Sequence, residues 1–402
     1  MPNPLPFAQR TNWSLESNRL SIELKSLRER NVGVLDLTES NPTNCGFAYP
    51  GPDILRALAI EENLKYAPLP RGNLRVREAI CRCYQDQGHV LSPERVFLTA
   101  STSEAYSYLL RLLVDPGEAV LFPLPSYPLF SFLGDLNDVR METYALVHDR
   151  HWAVDFDSIS GKVTADTKAL VLVNPNNPTG SFITLEEKEK INAVCRDNNM
   201  AIICDEVFFD FTLEEGREQH SFAGNQSALT FVLGGISKTL GLPQMKLSWI
   251  IVAGPEDLAQ QAAARLEVIA DTYLSVSTPA QNAFLTWIKH KGQLQTEIKK
   301  RIRDNYGVLK ASLAGTPNCR VLDAQGGWYA VLKILGRLSD EQWAIKFLLE
   351  DQVYVHPGYF FDFGFETYIV VSLLPGEDVF REGIRRITNR LHANGPEGPG
   401  RG

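Results

Sequence analysis

Three stretches restrict the fold of this chain more than any other feature: Ala169-Leu-Val-Leu-Val173, Met200-Ala-Ile-Ile-Cys204 and Thr230-Phe-Val-Leu233. Each is apolar almost throughout, without the every-second-residue alternation of a half-exposed strand. A strand of that kind has no face to offer water, so it belongs inside a sheet covered on both sides. Between the first two lies a helical pattern, Thr184 to Asn198, in which Thr184 and Glu187 are spaced as a capping box. The alternation continues elsewhere. Leu74 to Gln87 and Ser103 to Leu113 read as helices, and 95–99, 119–122 and 247–252 as strands. Strand–helix alternation predicts an α/β fold with a mainly parallel sheet. Ligands of such sheets sit at the carboxyl ends of the strands.

Outside this region the pattern changes. Residues 255–313 are strongly helical, and 320–390 mix strands with helices, which predicts a smaller α+β unit. At the start, Ser14 to Arg30 reads as a helix with Leu15, Leu20, Ile22 and Leu24 on its apolar side, followed by the short apolar run Val32 to Leu37. The expected organisation is an N-terminal segment, 1–45, that helps complete the small domain. A large domain over 46–290 and a small domain over 291–391 follow, with a Gly/Pro-rich disordered tail over 392–402.

Composition narrows the class. The chain has 402 residues, 44% of them hydrophobic, and 40 basic against 48 acidic residues leave a formal charge of −8. Nucleic acid is therefore not expected as a partner, because phosphate neutralisation needs a basic surface. No apolar run approaches the length of a membrane span, and the opening MPNPLPFAQR lacks the apolar core of a signal peptide. Six scattered cysteines read as reduced thiols, so a cytoplasmic protein without membrane contact is expected. The seven histidines show no metal-binding spacing, Ser237-Lys-Thr239 lacks the glycine spacing of a phosphate-binding P-loop, and no G-x-G-x-x-G follows a strand.

Several polar residues stand just beyond the expected strands. Ser101 and Thr102 follow 95–99, Tyr127 follows 119–122, Asn177 follows 169–173, Asp205 follows Cys204, and Lys238 follows Leu233. Singly, each has an ordinary reading as a cap, a turn or a solvated side chain. Together they place a carboxylate, an amine, an amide, an aromatic ring and hydroxyls on one rim of one sheet.

The combination resembles the fold type I pyridoxal-phosphate enzymes, specifically the class I/II aminotransferases, over roughly residues 35–390. Its most specific elements are Asn177-Pro-Thr-Gly180, Asp205-Glu-Val207 and Ser237-Lys-Thr-Leu-Gly-Leu-Pro243, with 28 residues from Asn177 to Asp205 and 33 from Asp205 to Lys238. The resemblance implies a large domain on a mainly parallel sheet with a smaller α+β domain. It also implies roles. Lys238 would hold the aldehyde of pyridoxal 5'-phosphate as an imine and later carry a proton, which needs an amine whose pKa burial has lowered. Asp205 would keep the pyridine nitrogen charged, Asn177 would donate to the ring oxygen, and Tyr127 would stack on the ring. Ser101, Thr102 and Lys246 would hold the phosphate, with Tyr66 reaching the site of the other subunit of a homodimer with shared active sites. The implied reaction moves an amino group between an amino acid and a 2-oxo acid.

Three departures qualify the resemblance. Phe208 stands where a Tyr is common. Gly235, three residues before Lys238, stands where Ser is common, which removes a phosphate hydroxyl contact. Val370 stands where relatives carry an Arg that forks onto the substrate carboxylate, and 358–380 contain neither Lys nor Arg in the region where it could be sought. Arg71 is the first substitute, with Asn41 and Trp328 as further pocket candidates and Asn177 as a shared donor. The missing Arg also admits a lyase or decarboxylase on the same scaffold. A ligand-sensing regulatory domain is the remote alternative, because only about 35 residues precede the first matched loop, too few for a DNA-binding module.

Overall fold

The apolar runs form the centre of an eight-stranded sheet. In the computed structural model, which describes residues 7–364 and 366–393, the strands in chain order are β1 (Leu35–Asp36), β2 (Val96–Thr99), β3 (Ala119–Leu124), β4 (Arg140–His148), β5 (Trp152–Val154), β6 (Thr167–Val173), β7 (Ala201–Asp205), β8 (Thr230–Gly235) and β9 (Ser248–Ala253). The large sheet has the order β2-β9-β8-β7-β6-β3-β4-β5. Its middle, from β8 through β7, β6 and β3 to β4, is parallel. Helix Thr102–Leu113 and helix Glu256–Tyr273 cover one face, packing Leu109 and Leu266 with Phe231 and Ile250. The opposite face buries Ile202 and Val232 with Ile80, Ile191 and Phe284.

The sheet is less parallel than the sequence pattern predicts. β9 runs antiparallel to both β8 and β2, and β5 antiparallel to β4. A parallel return needs a crossover of a dozen or more residues, usually a long helix. The segment between β8 and β9 forms only the short helix Ile236–Thr239 and the turn Pro243–Met245, so the chain doubles straight back. β4 and β5 have no counterpart in the sequence reading. β4 is half polar and buries only Tyr144 and Leu146, as suits a strand near the edge.

The C-terminal region adds β10 (Cys319–Val321), β11 (Tyr329–Ile334), β12 (Val353–Tyr354), β13 (His356–Pro357) and β14 (Thr367–Ser372). β10, β11, β14 and β13 form an antiparallel sheet in that order, while β12 pairs in parallel with β1. The N-terminal segment is thus hydrogen-bonded to the C-terminal region. Its helix starts later than the apolar pattern predicts, at Arg19, where the Asn18 side chain accepts from the Ser21 N–H at 2.8 Å. Leu20, Leu24 and Leu27 are buried, while Leu15 and Ile22, expected on the same side, are exposed. The last helix, Glu377–Ala393, includes His392 and Ala393, so it enters the stretch expected as a tail, whose remainder lies outside the described residues.

Among the described residues no helix is long and apolar enough to cross a membrane, and no cluster of His, Cys, Asp and Glu could hold a metal ion. All six cysteines are free thiols. The long helix Lys291–Leu313 is tied to the C-terminal region by Asn305, whose buried amide donates to the Leu373 and Pro375 carbonyls, both at 2.9 Å. Asn305→Ala leaves two buried carbonyls unpaired, and a loss of about 1–3 kcal/mol is expected from denaturant unfolding. An unchanged midpoint would remove this tie.

Candidate active site

The carboxyl ends of the central strands gather the polar residues singled out by the sequence. Asp205 is the last residue of β7 and is buried. Its Oδ1 accepts from the Val207 N–H at 3.1 Å and its Oδ2 from the Tyr106 hydroxyl at 3.3 Å. Burial nevertheless pushes its carboxyl up to about 6, against the opposing pull of those two donors and of Lys238. The next side chain, Glu206, takes a separate set of partners: it accepts from the Ser221 hydroxyl at 2.7 Å and the Phe222 N–H at 2.8 Å.

Lys238 sits in the short helix after β8. Its Nζ lies 4.9 Å from the Trp328 ring centroid and 5.4 Å from that of Phe208. Burial lowers its pKa to about 8, with Asp205 opposing the shift. The carboxylate is shifted up and the amine down, so the two groups are charged together only over a narrow range near neutrality. Trp328, one of the weaker pocket candidates, is fully buried against Lys238 and its indole N–H has no partner among the described residues.

Asn177 lies on the turn that leaves β6. The turn is braced by Asn176, whose side chain accepts from the Thr179 hydroxyl at 2.8 Å, and is joined to β7 by the Asn174 N–H to Asp205 carbonyl bond, also 2.8 Å. Gly180 closes it with φ +73°, and the Gly326 carbonyl presses where a Cβ would stand. In return the Gly180 carbonyl accepts from the N–H groups of Gln325 and Gly326 at 3.1 and 2.9 Å, which brings the segment leading to Trp328 onto the turn. Only glycine fits such a left-handed, crowded position. The Asn177 side chain itself makes no hydrogen bond among the described residues, and its buried Oδ1 is an orphan.

Ser101 caps helix Thr102–Leu113, accepting from the Glu104 N–H at 3.1 Å. Glu104 folds back to accept from the Ala100 N–H and the Ser275 hydroxyl, both at 2.7 Å, and so steadies the helix start. Lys246 is exposed, in left-handed conformation with φ 51°, and forms no ion pair among the described residues. Tyr127 is half exposed on the loop after β3. Asn41 uses its Oδ1 to accept from the Thr43 N–H and hydroxyl, at 3.1 and 2.8 Å, which leaves its amide N–H groups unused among the described residues. Tyr66 is 82% exposed.

Arg71 does not stand free for a substrate. Its guanidinium donates to the Glu94 carbonyl at 2.6 Å, to the Glu94 carboxylate at 3.0 Å and to Glu267 at 2.7 Å, and lies 5.2 Å from the Phe97 ring centroid. Two carboxylates already hold it. Val370 is fully buried at the centre of the C-terminal sheet, opposite Val331 and His356, so no cation reaches the cleft from that position. Tyr106, Glu104 and the Lys238 contact of Trp328 escape the sequence reading. Tyr106 sits one helical turn after Thr102, where an aromatic residue reads as core.

These residues suit a phosphorylated pyridine aldehyde. Among the described residues a buried carboxylate faces no cation other than Lys238, a buried amine has a lowered pKa, an amide has an unpaired buried oxygen, and a helix start carries hydroxyls. Comparison with known proteins agrees. The model of the family "Aminotransferase class I and II" matches residues 8–386, and the chain belongs to that family. It is a pyridoxal-phosphate-dependent aminotransferase of fold type I. The glutamate-pyruvate aminotransferase AlaA of Haemophilus influenzae is 27% identical over 92% of this chain and 93% of its own length. The alanine aminotransferase of Mycobacterium tuberculosis is 25% identical over 89% and 85%. Among solved structures, an aminotransferase from Escherichia coli superposes with a TM-score of 0.85 at 25% identity, covering 97% of this chain and 99% of its own.

Two outcomes follow. The rate at which cofactor-free protein recombines with pyridoxal phosphate should rise about tenfold per pH unit and level off near the lowered pKa of Lys238, about 8, because only the neutral amine attacks an aldehyde. A rise that continues past pH 10 would contradict the burial effect. Arg71→Met should lower the unfolding midpoint yet leave substrate KM within about twofold. A large rise in KM with normal cofactor absorbance would return Arg71 to the substrate site.

Proposed function

We propose that Lys238 is the attachment point for the cofactor aldehyde and the base of the transamination, and that Asp205 would pair with the pyridine nitrogen. The observation that carries this reading is the buried Lys238–Asp205 pair, with pKa values moved to about 8 and about 6. When bound, pyridoxal phosphate supplies the electron sink for the bond broken at the substrate α-carbon. The chain supplies the rest. Asp205 holds a proton at the ring nitrogen, steadied by Tyr106 and the Val207 N–H. Asn177 donates its amide to the ring oxygen. Tyr127 covers the ring face. Ser101, Thr102 and Lys246 hold the phosphate, joined by the partner subunit's Tyr66 in a homodimer with shared sites. The exposure of Tyr66, Leu64 and Leu69 on one segment supports that pairing.

Lys238 Nζ, once released from the aldehyde, is the amine placed to hold the proton lost from the α-carbon and to return it. Trp328 and Phe208 wall it from bulk water, which keeps its pKa within reach of neutrality. With Arg71 engaged elsewhere and no cation on β14, the substrate carboxylate takes neutral donors, the amides of Asn177 and Asn41. The names of the relatives favour small amino acids and their 2-oxo acids, alanine with pyruvate and glutamate with its 2-oxo acid. The free cysteines suit the cytoplasm.

Borohydride reduction of the cofactor-saturated protein, followed by peptide mapping, should modify Lys238 and no other residue. Lys238→Ala should lose turnover by about 10^3-fold or more while stability is retained. Turnover of alanine with 2-oxoglutarate should convert the bound cofactor to its amine form. Release of ammonia or carbon dioxide without that conversion would favour a lyase or decarboxylase.

A further inference from the structure

The chain lacks a side chain at Gly235, and what fills the space is its cross-strand neighbour. Gly235 ends β8 and pairs directly with Ser248, the first residue of β9. Directly paired residues of antiparallel strands send their side chains to the same face. The face is the one covered by helix Thr102–Leu113, since Leu233 and Ile250, each two residues further along its strand, pack there with Leu109. A Cβ added at Gly235 would fall on the Ser248 hydroxyl oxygen, with Ser248 Cβ 3.1 Å away. On its other side Ser248 pairs with Thr99, the last residue of β2, from which the chain turns into Ser101 and that helix. The Thr99 hydroxyl is already committed to the Ser101 carbonyl at 3.1 Å.

The Ser248 side chain is different. Ser248 is only 2% exposed, and its hydroxyl makes no hydrogen bond among the described residues. The hydroxyl oxygen is not among the fully sealed unpartnered atoms, so it keeps access to the space where the ends of β2, β8 and β9 meet, and a hydroxyl so placed gains from a ligand that accepts its hydrogen bond. Lys246, unpaired, is two residues away along the chain. We infer that the Ser248 hydroxyl is a ligand of the cofactor phosphate, supplied by β9 in place of the hydroxyl that β8 lacks at Gly235. The inference rests on the reading of this rim as the pyridoxal-phosphate site and goes further by moving one phosphate contact to a strand of opposite direction.

Absorbance titration of the cofactor-free full-length protein with pyridoxal phosphate and with pyridoxal, which lacks the phosphate, tests this. Ser248→Ala should weaken pyridoxal phosphate binding roughly 10- to 100-fold, the worth of a hydrogen bond to a charged group. Pyridoxal binding should change less than about twofold. Gly235→Ser alone should also weaken pyridoxal phosphate binding, because two side chains then claim one space. The exchange Gly235→Ser with Ser248→Gly should restore it toward wild type, which a merely structural role for Ser248 would not predict. Unchanged pyridoxal phosphate binding in Ser248→Ala, equal weakening of both ligands, or an exchange variant no better than Gly235→Ser would overturn the inference. Failure of the wild type to bind pyridoxal phosphate at all would overturn the reading of the site instead.

Discussion

Removing one amine and one carboxylate from water together is the constraint on which this active site depends. In water the Lys238 amine would be protonated throughout the physiological range and Asp205 ionised. Burial moves them toward one another, to about 8 and about 6. Neither shift is available at the protein surface, where solvent screens charge. The sheet makes the burial possible. β7 and β8 are apolar on both faces, so the residues at their carboxyl ends inherit a dry floor, and Trp328 and Phe208 close the sides. A cofactor that brings an aldehyde and a ring cation meets both needs at once.

The rest of the rim follows from short connections. The twelve residues between β8 and β9 form only a short helix and a turn instead of a crossover helix, so β9 returns antiparallel and brings Lys246 and Ser248 back to the rim that Lys238 occupies. The turn after β6 is locked to β7 by Asn174 and to the segment leading to Trp328 by Gly180. The site therefore draws on the large sheet, on the segment before β11 and on the N-terminal loop around Ser40 and Asn41. Each contributes backbone rigidity to a different part of one ligand.

Legibility differed residue by residue. Asn177, Asp205 and Lys238 were readable because each stands within five residues of the end of an apolar run, and strand ends have fixed positions in such a sheet. Tyr106 was not, since an aromatic residue at that helix position reads as core and its hydroxyl only matters once β7 is beside it. Arg71 reads from sequence as a free cation. Its partners, Glu94 and Glu267, lie 23 and 196 residues away, and no local pattern announces them. Gly235 reads as a lost contact until the register with Ser248 is known.

The order of apolar runs and helices determined by itself that the chain would build a doubly covered sheet, and that amine, carboxylate and amide would share its carboxyl rim. Local spacing and hydrophobicity suffice for that, because both act along the chain. Tertiary structure alone decided the direction of β9, the partners of Arg71, the burial that brings two pKa values together and the register that sets Ser248 in the space beside Gly235. Those depend on distances between segments far apart in sequence, and desolvation has no meaning until the segments have packed.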